Sequence, residues 1–283
     1  MQNATDSLGL IAGNRSLPLL MARQARAMGV KRLVAVAFEN ETDPALAECV
    51  DDIVWVRVGQ LSRLIKAFRS RDVTRCVMVG QIAPKNLFDL RPDLRTVGVL
   101  MRLKEKNAHA LFGALIDELA KDGISVVPAT PWLEPLMPGP GVHHGPPLSE
   151  DQTRDMEFGF RMAKEITRLE IGQLVVVKHG AVLAVEGFEG TDACLRRGGL
   201  LAGKSGGAVA VKVARHKHDM RFDIPCVGLG TLESCRDSGI AVLAVEAGTT
   251  LFLDPEAMAS WCVRHKLALH TVSGVASQTP LRP

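Results

Sequence analysis

The densest group of reactive side chains places three carboxylates, Glu186, Glu189 and Asp192, within seven residues at the end of a predicted strand. Arg196 and Arg197 follow one helical turn later. Carboxylates beside arginines suit a divalent cation with an anionic ligand, because Mg²⁺ commonly binds one or two carboxylates plus substrate phosphates. A helix cap with surface ion pairs explains the same residues, and the local pattern alone favours it.

Two further carboxylates stand at the mouths of predicted strands. Asp223 precedes the apolar run 224–228, and Glu246 follows the apolar run 240–245. Such a residue is either a turn residue or a ligand, and local evidence favours the turn. Lys212, inside another predicted strand, is a further candidate for binding an anionic substrate.

Two turns in the first half are candidates for nucleotide binding. Gly13 and Asn14 follow a predicted strand and open a predicted helix, whereas Gln81 follows a second buried strand. Ligands of open α/β sheets sit beyond the carboxyl ends of the strands, so we expect these residues on one edge of the sheet. Backbone amides at a helix start can face an anion. The alternatives are a tight turn that needs one glycine and a solvated loop, and the dinucleotide fingerprint Gly-x-Gly-x-x-Gly is absent.

Residues 198–205 match the phosphate-loop pattern Gly-x4-Gly-Lys-Ser letter for letter. That motif works only between a strand and the helix that follows it. Here a helical pattern precedes the glycines and an apolar strand follows them, so we reject an ATPase function.

The elements that must position these side chains differ between the two halves. The first half alternates short apolar runs with helical patterns, which predicts a Rossmann-like parallel sheet covered on both faces. Seven prolines between 128 and 147 predict an interdomain linker. The second half mixes hairpin, helix and strand patterns. We therefore predict an α/β protein with an N-terminal Rossmann-like domain over 1–130, a linker over 131–148 and a C-terminal mixed α/β catalytic domain over 149–283.

Composition excludes several classes of function. The net charge of the 283-residue chain is only +3, so nothing indicates nucleic-acid binding. The six cysteines include no Cys-x-x-Cys pair, which disfavours a thiolate zinc site. The sequence shows neither a signal-peptide pattern nor an apolar run near the roughly 20 residues that span a bilayer. We expect a cytoplasmic protein.

Several segments, in order along nearly the whole chain, resemble the LpxI-type UDP-2,3-diacylglucosamine pyrophosphatases of lipid A biosynthesis. The segments that carry the resemblance are Leu10-Ile11-Ala12-Gly13, Leu17-Pro18, Arg168-Leu169-Glu170-Ile171-Gly172-Gln173, Leu183-Ala184-Val185-Glu186, Glu189-Gly190-Thr191-Asp192-Ala193, Leu195-Arg196-Arg197, Asp223-Ile224-Pro225 and Glu246-Ala247-Gly248. The Glu-Gly-Thr-Asp-Ala and Asp-hydrophobic-Pro motifs make this resemblance fairly specific.

The resemblance implies metal-dependent hydrolysis of UDP-2,3-diacylglucosamine to lipid X (2,3-diacylglucosamine 1-phosphate) and UMP, with Mg²⁺ or Mn²⁺. It implies a substrate held between two domains and water attack on the sugar-side phosphorus. The family's key aspartate falls on Asp223, which would be both catalytic and a metal ligand. Further hypothetical roles are charge stabilisation by Arg196 and Arg197 and phosphate binding at the helix start. The proposed substrate-binding residues are Gly13, Asn14, Gln81, Gly190, Thr191 and Lys212, and the proposed metal ligands are Asp223, Glu189, Asp192 and Glu246.

A diacylated substrate predicts exposed apolar surface and transient contact with the inner-membrane surface, and a homodimer is the commonest default. Asn107-Ala108-His109 stands where relatives often carry Gly-Asp-Asp, which puts metal number and substrate preference in question. Two other functions remain open: hydrolysis or transfer of another nucleotide sugar, and nucleotide binding without catalysis. Release of UMP with and without manganese distinguishes them.

Overall fold

The computed structural model describes residues 7–82, 92–103, 108–214, 219–222 and 224–273, and the chain forms two compact units. The first unit runs to Leu133 and also takes in a short stretch that begins at Asp219. The second unit begins at Glu134 and holds the rest of the chain. The chain therefore returns once to the first unit, just before the second unit resumes at Ile224.

The first unit is a five-stranded parallel sheet with helices. Its elements are β1 (Ser7–Ala12), α1 (Leu17–Ala27), β2 (Arg32–Phe38), a 3-10 turn (Pro44–Glu48), β3 (Asp52–Val56), α2 (Leu61–Arg69), β4 (Arg75–Val79), α3 (Leu94–Arg102), α4 (Ala108–Ala120), β5 (Ser125–Val126) and α5 (Thr130–Leu133). The strand order is β3-β2-β1-β4-β5, with every neighbouring pair parallel. This order confirms the predicted Rossmann-like sheet.

The sequence explains why these strands are central. Leu10 and Ile11 of β1 are both buried although they point to opposite faces, since both faces of a parallel sheet are covered. Ser16 precedes α1 as predicted, but its side chain makes no capping hydrogen bond. Pro18 sits in the first turn, where its missing N–H costs nothing.

The second unit contains a six-stranded mixed sheet. Its elements are a 3-10 turn (Glu134–Leu136), β6 (His143–His144), α6 (Glu150–Arg168), β7 (Leu174–Lys178), β8 (Ala181–Val185), α7 (Thr191–Leu201), β9 (Ala208–Lys212), β10 (Cys226–Val227), α8 (Leu229–Asp237), β11 (Ile240–Glu246), β12 (Leu251–Phe252), α9 (Pro255–His265) and β13 (Ala268–Val272). The order is β6-β13-β11-β9-β7-β8, and β10 pairs separately with β12. The central strands β9, β11 and β13 are parallel, whereas β7 runs antiparallel to both of its neighbours.

Each face of this sheet packs a different set of helices. Leu243 and Val245 of β11 belong to one core, which also contains residues of α7, α8 and α9. Val242 and Ala244 of the same strand belong to another core, shared with α6. Because side chains alternate along a strand, the odd-numbered residues of this part of β11 face one set of helices and the even-numbered residues face the other.

The segment predicted as a linker, 131–148, contains secondary structure. α5 opens it, and β6 adds an antiparallel edge strand to β13. Most of the segment lies in the second unit, since the division falls after Leu133. Its prolines exclude a central strand but permit a two-residue edge strand.

Within the described ranges, no helix is both long and apolar enough to cross a membrane.

Candidate active site

Gly13, Asn14 and Gln81 meet at the carboxyl edge of the first sheet. Asn14 N donates a 2.7 Å hydrogen bond to Gln81 O, and the two residues form an isolated antiparallel bridge. The sheet order reverses between β1 and β4, which these residues follow, so they stand at a topological switch point. The prediction that they share one edge is confirmed.

The two strand ends approach so closely that both turn positions require glycine. A Cβ atom on Gly13 would lie 2.4 Å from Gln81 O. One on Gly80 would lie 2.7 Å from Asn14 O, and Gly80 has φ +90°. Glycine at both positions therefore allows the two strand ends to approach each other closely.

Asn14 is held by a residue that the sequence did not reveal. Its Nδ2 donates a 2.6 Å hydrogen bond to Glu41 Oε2. Its Oδ1 is buried and accepts no hydrogen bond from any residue that the structure describes. A buried acceptor without a donor suits a ligand N–H or hydroxyl. No sequence pattern joins positions 27 residues apart, so Glu41 could not be found in advance.

In the second unit, the predicted carboxylate cluster surrounds the start of α7. Gly190 precedes the helix with φ +83°, and no side chain caps the first turn. Thr191 Oγ1 instead donates a 2.8 Å hydrogen bond to Glu186 Oε1. Glu186 is buried, and its Oε2 accepts from Gln173 N at 3.2 Å. Thr191 and Glu186 thus fix the loop, while the amides that open α7 have no side-chain acceptor in the described chain.

Glu189 and Arg197 form an ion pair. Arg197 Nη2 donates to Glu189 Oε1 at 2.5 Å and to Val185 O at 2.8 Å. Hydrogen bonds from the backbone amide of Glu189 itself and from Arg197 lower the pKa of Glu189. A cation bound by Glu189 would have to displace Arg197. This pair matches the alternative interpretation of surface ion pairing.

Arg196 and Asp192 lie exposed on α7. Neither forms an ion pair or a side-chain hydrogen bond with another described residue. They are therefore the charged groups of this cluster that remain available to a ligand.

Lys212 is a buried cation at the end of β9. Only 8% of it is exposed, and its Nζ has Cys226 O as a distant hydrogen-bond acceptor at 3.5 Å. Within the described chain no carboxylate pairs with it. Lys212 lies directly opposite Leu174 on the neighbouring strand, and Leu174 O in turn accepts a hydrogen bond from Glu186 N. Residues that lie opposite each other on adjacent strands point to the same face, so Lys212 and Glu186 share one face of the sheet. Burying an ammonium group without a counter-charge costs free energy unless a bound anion supplies the opposite charge.

Glu246 points to the other face of that sheet. Its Oε1 accepts from Lys164 Nζ of α6 at 2.8 Å, and its Oε2 accepts from Ala214 N at 2.8 Å. Glu189 and Asp192 flank the start of α7, which packs on the opposite face. The structure does not bring Glu246 together with them.

The described residues contain no group of three or more His, Cys, Asp or Glu side chains that could hold a metal ion. Of the proposed ligands, Glu189 and Glu246 are engaged by Arg197 and Lys164. Asp192 is exposed, and Asp223 lies outside the described residues. The described part of the chain does not by itself form a metal shell.

The four residues before Asp223 are anchored in the first unit. The rings of Phe222 and Phe112 of α4 stack with centroids 5.3 Å apart. Arg221 Nη2 pairs with Asp219 Oδ2 at 2.6 Å. On the far side of Asp223, Leu251 N donates to Pro225 O at 2.8 Å. Both flanks of the candidate catalytic residue are thus fixed.

The Gly-x4-Gly-Lys-Ser stretch begins inside α7 and precedes β9, so the predicted helix-then-strand order is confirmed. The departure at 107–109 lies outside the residues whose side chains are described.

Comparison with known proteins settles the family. A model of the LpxI N-terminal domain matches residues 7–136, and a model of the LpxI C-terminal domain matches residues 139–270. The chain belongs to the LpxI family. A curated LpxI relative, UDP-2,3-diacylglucosamine pyrophosphatase of Caulobacter vibrioides, is 31% identical over 261 residues, which cover 89% of this chain and 92% of the relative.

Two solved structures show only weak similarity to the chain. N5-carboxyaminoimidazole ribonucleotide synthetase from Thermotoga maritima is 14% identical, covering 66% of this chain and 42% of that one, with a TM-score of 0.23. N5-carboxyaminoimidazole synthetase from Staphylococcus aureus is 10% identical, covering 70% and 44%, with the same TM-score.

Proposed function

We propose that this protein hydrolyses the pyrophosphate bond of UDP-2,3-diacylglucosamine to UMP and 2,3-diacylglucosamine 1-phosphate, a step of lipid A biosynthesis. The observation that carries the proposal is the LpxI match over both halves of the chain, together with a relative of that activity that aligns over nearly its full length. Hydrolysis of another nucleotide sugar and nucleotide binding without catalysis are the alternatives.

The described residues support particular roles in binding this substrate. Lys212 supplies a buried positive charge without a counter-charge, which suits a phosphate oxygen. The uncapped amides at the start of α7 are a second anion-binding group. Arg196 is available to stabilise charge that develops as the bond breaks. Gly13, Asn14 and Gln81 stand where open α/β sheets bind nucleotides.

In the proposed reaction, water attacks the sugar-side phosphorus and the bond from that phosphorus to the bridging oxygen breaks. UMP leaves with the bridging oxygen, and the water oxygen remains on the sugar phosphate. We propose Asp223 as the catalytic residue, with Mg²⁺ or Mn²⁺ as the cofactor that family resemblance implies. Asp192 is the candidate ligand that has no ion-pair partner among the described residues.

UMP release tests this proposal. The purified protein is incubated with UDP-2,3-diacylglucosamine and Mn²⁺, Mg²⁺ or EDTA, and UMP is quantified. We expect turnover with metal, none with EDTA, and none from Asp223→Asn with either metal. Asp237→Asn, on the exposed end of α8, is the matched control and should retain activity. Turnover by Asp223→Asn would overturn the residue assignment, and failure of the wild type to release UMP under every metal would overturn the function.

UDP-N-acetylglucosamine serves as the specificity control. It carries the same pyrophosphate without the two long acyl chains. We expect little turnover of it, and efficient turnover of it alone would favour the alternative nucleotide-sugar hydrolase.

We further propose that the protein contacts the inner-membrane surface through α3. Leu94 and Met101 of α3 are 92% and 82% exposed. The amino end of α3 is tied to α2, since Asp93 Oδ2 accepts from Ser62 N at 2.7 Å. Arg63 and Lys66 lie exposed on α2. Apolar side chains beside cations suit an anionic bilayer.

Vesicle co-sedimentation tests the membrane contact. Leu94→Ser with Met101→Ser should weaken binding to phosphatidylglycerol-containing vesicles, whereas Val263→Ser on the exposed face of α9 should not. Equal binding by both variants would contradict membrane contact through α3.

The expected homodimer also stays a prediction, which light scattering at several protein concentrations tests.

A further inference from the structure

Two histidines that the proposed function does not use face each other on adjacent strands of the second unit. β6 pairs antiparallel with β13, and His143 lies directly opposite His270. The register places their Nδ1 atoms 3.4 Å apart, with ring centroids 5.6 Å apart. Both side chains are partly exposed.

This separation matches the requirement of a chelated metal ion. Zn²⁺ binds imidazole nitrogen at about 2.0–2.1 Å in tetrahedral geometry, which sets two ligand nitrogens about 3.4 Å apart. In the metal-free protein the same two nitrogens lie within hydrogen-bond distance, so a bound ion would replace the proton that lies between them.

A hydrogen bond selects the tautomer that a metal needs. His143 Nε2 lies 2.9 Å from Pro146 O, which is only an acceptor, so Nε2 carries the proton. Nδ1 of His143 is therefore the nitrogen with the free lone pair. Metal-binding histidines characteristically donate their other N–H to a backbone carbonyl in this way.

The turn that carries this carbonyl is itself fixed. Gly145 has φ +87°, and a Cβ atom there would lie 2.2 Å from Leu267 O. Thr271 N donates to Val142 O at 2.9 Å, which holds the strand before it. The pair is thus built on rigid neighbours rather than on freely rotating surface side chains.

We propose that His143 and His270 form a binding site for a borderline transition-metal ion such as Zn²⁺, with water completing its shell. Imidazole suits Zn²⁺, Cu²⁺ and Ni²⁺, whereas Mg²⁺ and Ca²⁺ prefer oxygen ligands. The bound ion would join β6 to β13 and so fasten the 139–146 segment to the edge of the sheet.

Titration with Zn²⁺ alone tests the site, without substrate and after removal of other metals. In wild-type protein, long-range ¹H–¹⁵N spectra should show the Nδ1 resonances of His143 and His270 shifting together at one equivalent. This readout needs no variant, so it remains decisive if a substitution disturbs folding. Absence of a shift at either nitrogen, or a shift only at other histidines, would overturn the proposal.

Variants give the second readout. Zn²⁺ should raise the Tm of the wild type, because it binds the folded chain. His143→Asn and His270→Asn should each weaken Zn²⁺ affinity about tenfold or more and should each abolish this rise. His179→Asn is the matched control, since His179 is exposed in the β7–β8 turn with φ +50°, a conformation that asparagine tolerates. Equal affinity in all three variants would show that Zn²⁺ binds elsewhere, which contradicts the proposal.

Discussion

At the scale of single residues, Lys212 is a buried cation whose surroundings indicate a role beyond folding. It is buried with one carbonyl at 3.5 Å as its hydrogen-bond acceptor. Burial of this group costs free energy, and no ion pair with another described residue offsets that cost. We therefore infer that a bound ligand supplies the counter-charge.

Replacement of this lysine should separate function from stability. Lys212→Met keeps the length of the side chain and removes the charge, so kcat/KM should fall about tenfold or more, equivalent to about 1.5–3 kcal/mol. The free energy of unfolding should not decrease, because no described ion pair is lost. Steady-state kinetics and urea unfolding measure the two effects.

Lys204 is the matched control, since it is the exposed lysine of the rejected phosphate-loop pattern. Lys204→Met should retain full kcat/KM. The assignment fails if Lys204→Met is impaired and Lys212→Met is not.

Gly13 provides a second test at this scale. Gly13→Ala places a methyl group 2.4 Å from Gln81 O, so the two strand ends must separate. We expect a loss of about 1–3 kcal/mol in the free energy of unfolding, together with weaker UMP binding by calorimetry. Gly113→Ala is the control: a Cβ atom there meets nothing within 4 Å, so this helical position should gain up to about 1 kcal/mol. Unchanged UMP binding by Gly13→Ala would remove this turn from the nucleotide site.

At the scale of elements, the stretch 219–222 is the anchor that precedes the candidate catalytic aspartate. Within it, Phe222 stacks on Phe112 of α4. Phe222→Ala should lower kcat by loosening this anchor and should cost about 1–3 kcal/mol of stability.

Phe222→Tyr keeps the aromatic ring and should preserve kcat. A positioning role predicts that kcat falls more than KM rises in Phe222→Ala. An unaltered kcat at a temperature where this variant is folded would contradict the role.

The β6–β13 edge predicts a pH dependence of stability in metal-free protein. Burial, together with the charge of His143, lowers the pKa of His144 and of His270. The unfolded chain then binds more protons than the folded chain below about pH 6.5, the usual histidine pKa. The stability that these two histidines contribute is therefore fully present above that pH. It is lost on acidification as the pH falls towards their lowered pKa values.

Urea unfolding at pH 7.5 and at pH 5.5 measures this effect. The wild type should be less stable at pH 5.5, and the double variant His144→Asn with His270→Asn should show a smaller difference. An equal pH difference in both proteins would contradict it.

At the scale of the whole molecule, sequence periodicity was sufficient for the fold class and for the shared edge of Gly13 and Gln81. Both follow from local patterns, since parallel strands must end at the same edge. Glu246 shows the limit. Because side chains alternate along β11, Glu246 and Val245 point to opposite faces of the sheet. Which helix covers each face, however, depends on packing between distant segments. The sequence therefore could not show that Lys164 would be its partner.

The edge strand β6 escaped prediction for the same reason. Two histidines in a proline-rich segment carry no strand pattern, and their pairing depends on β13, more than 120 residues later. Likewise, Arg197 was identified beside the carboxylates, but only the structure shows that it pairs with Glu189.

The most direct test of the central claim is hydrolysis of UDP-2,3-diacylglucosamine in H₂¹⁸O with mass spectrometry of both products. Attack on the sugar-side phosphorus predicts one ¹⁸O atom in 2,3-diacylglucosamine 1-phosphate and none in UMP. Absence of both products, or ¹⁸O in UMP instead, would contradict the account.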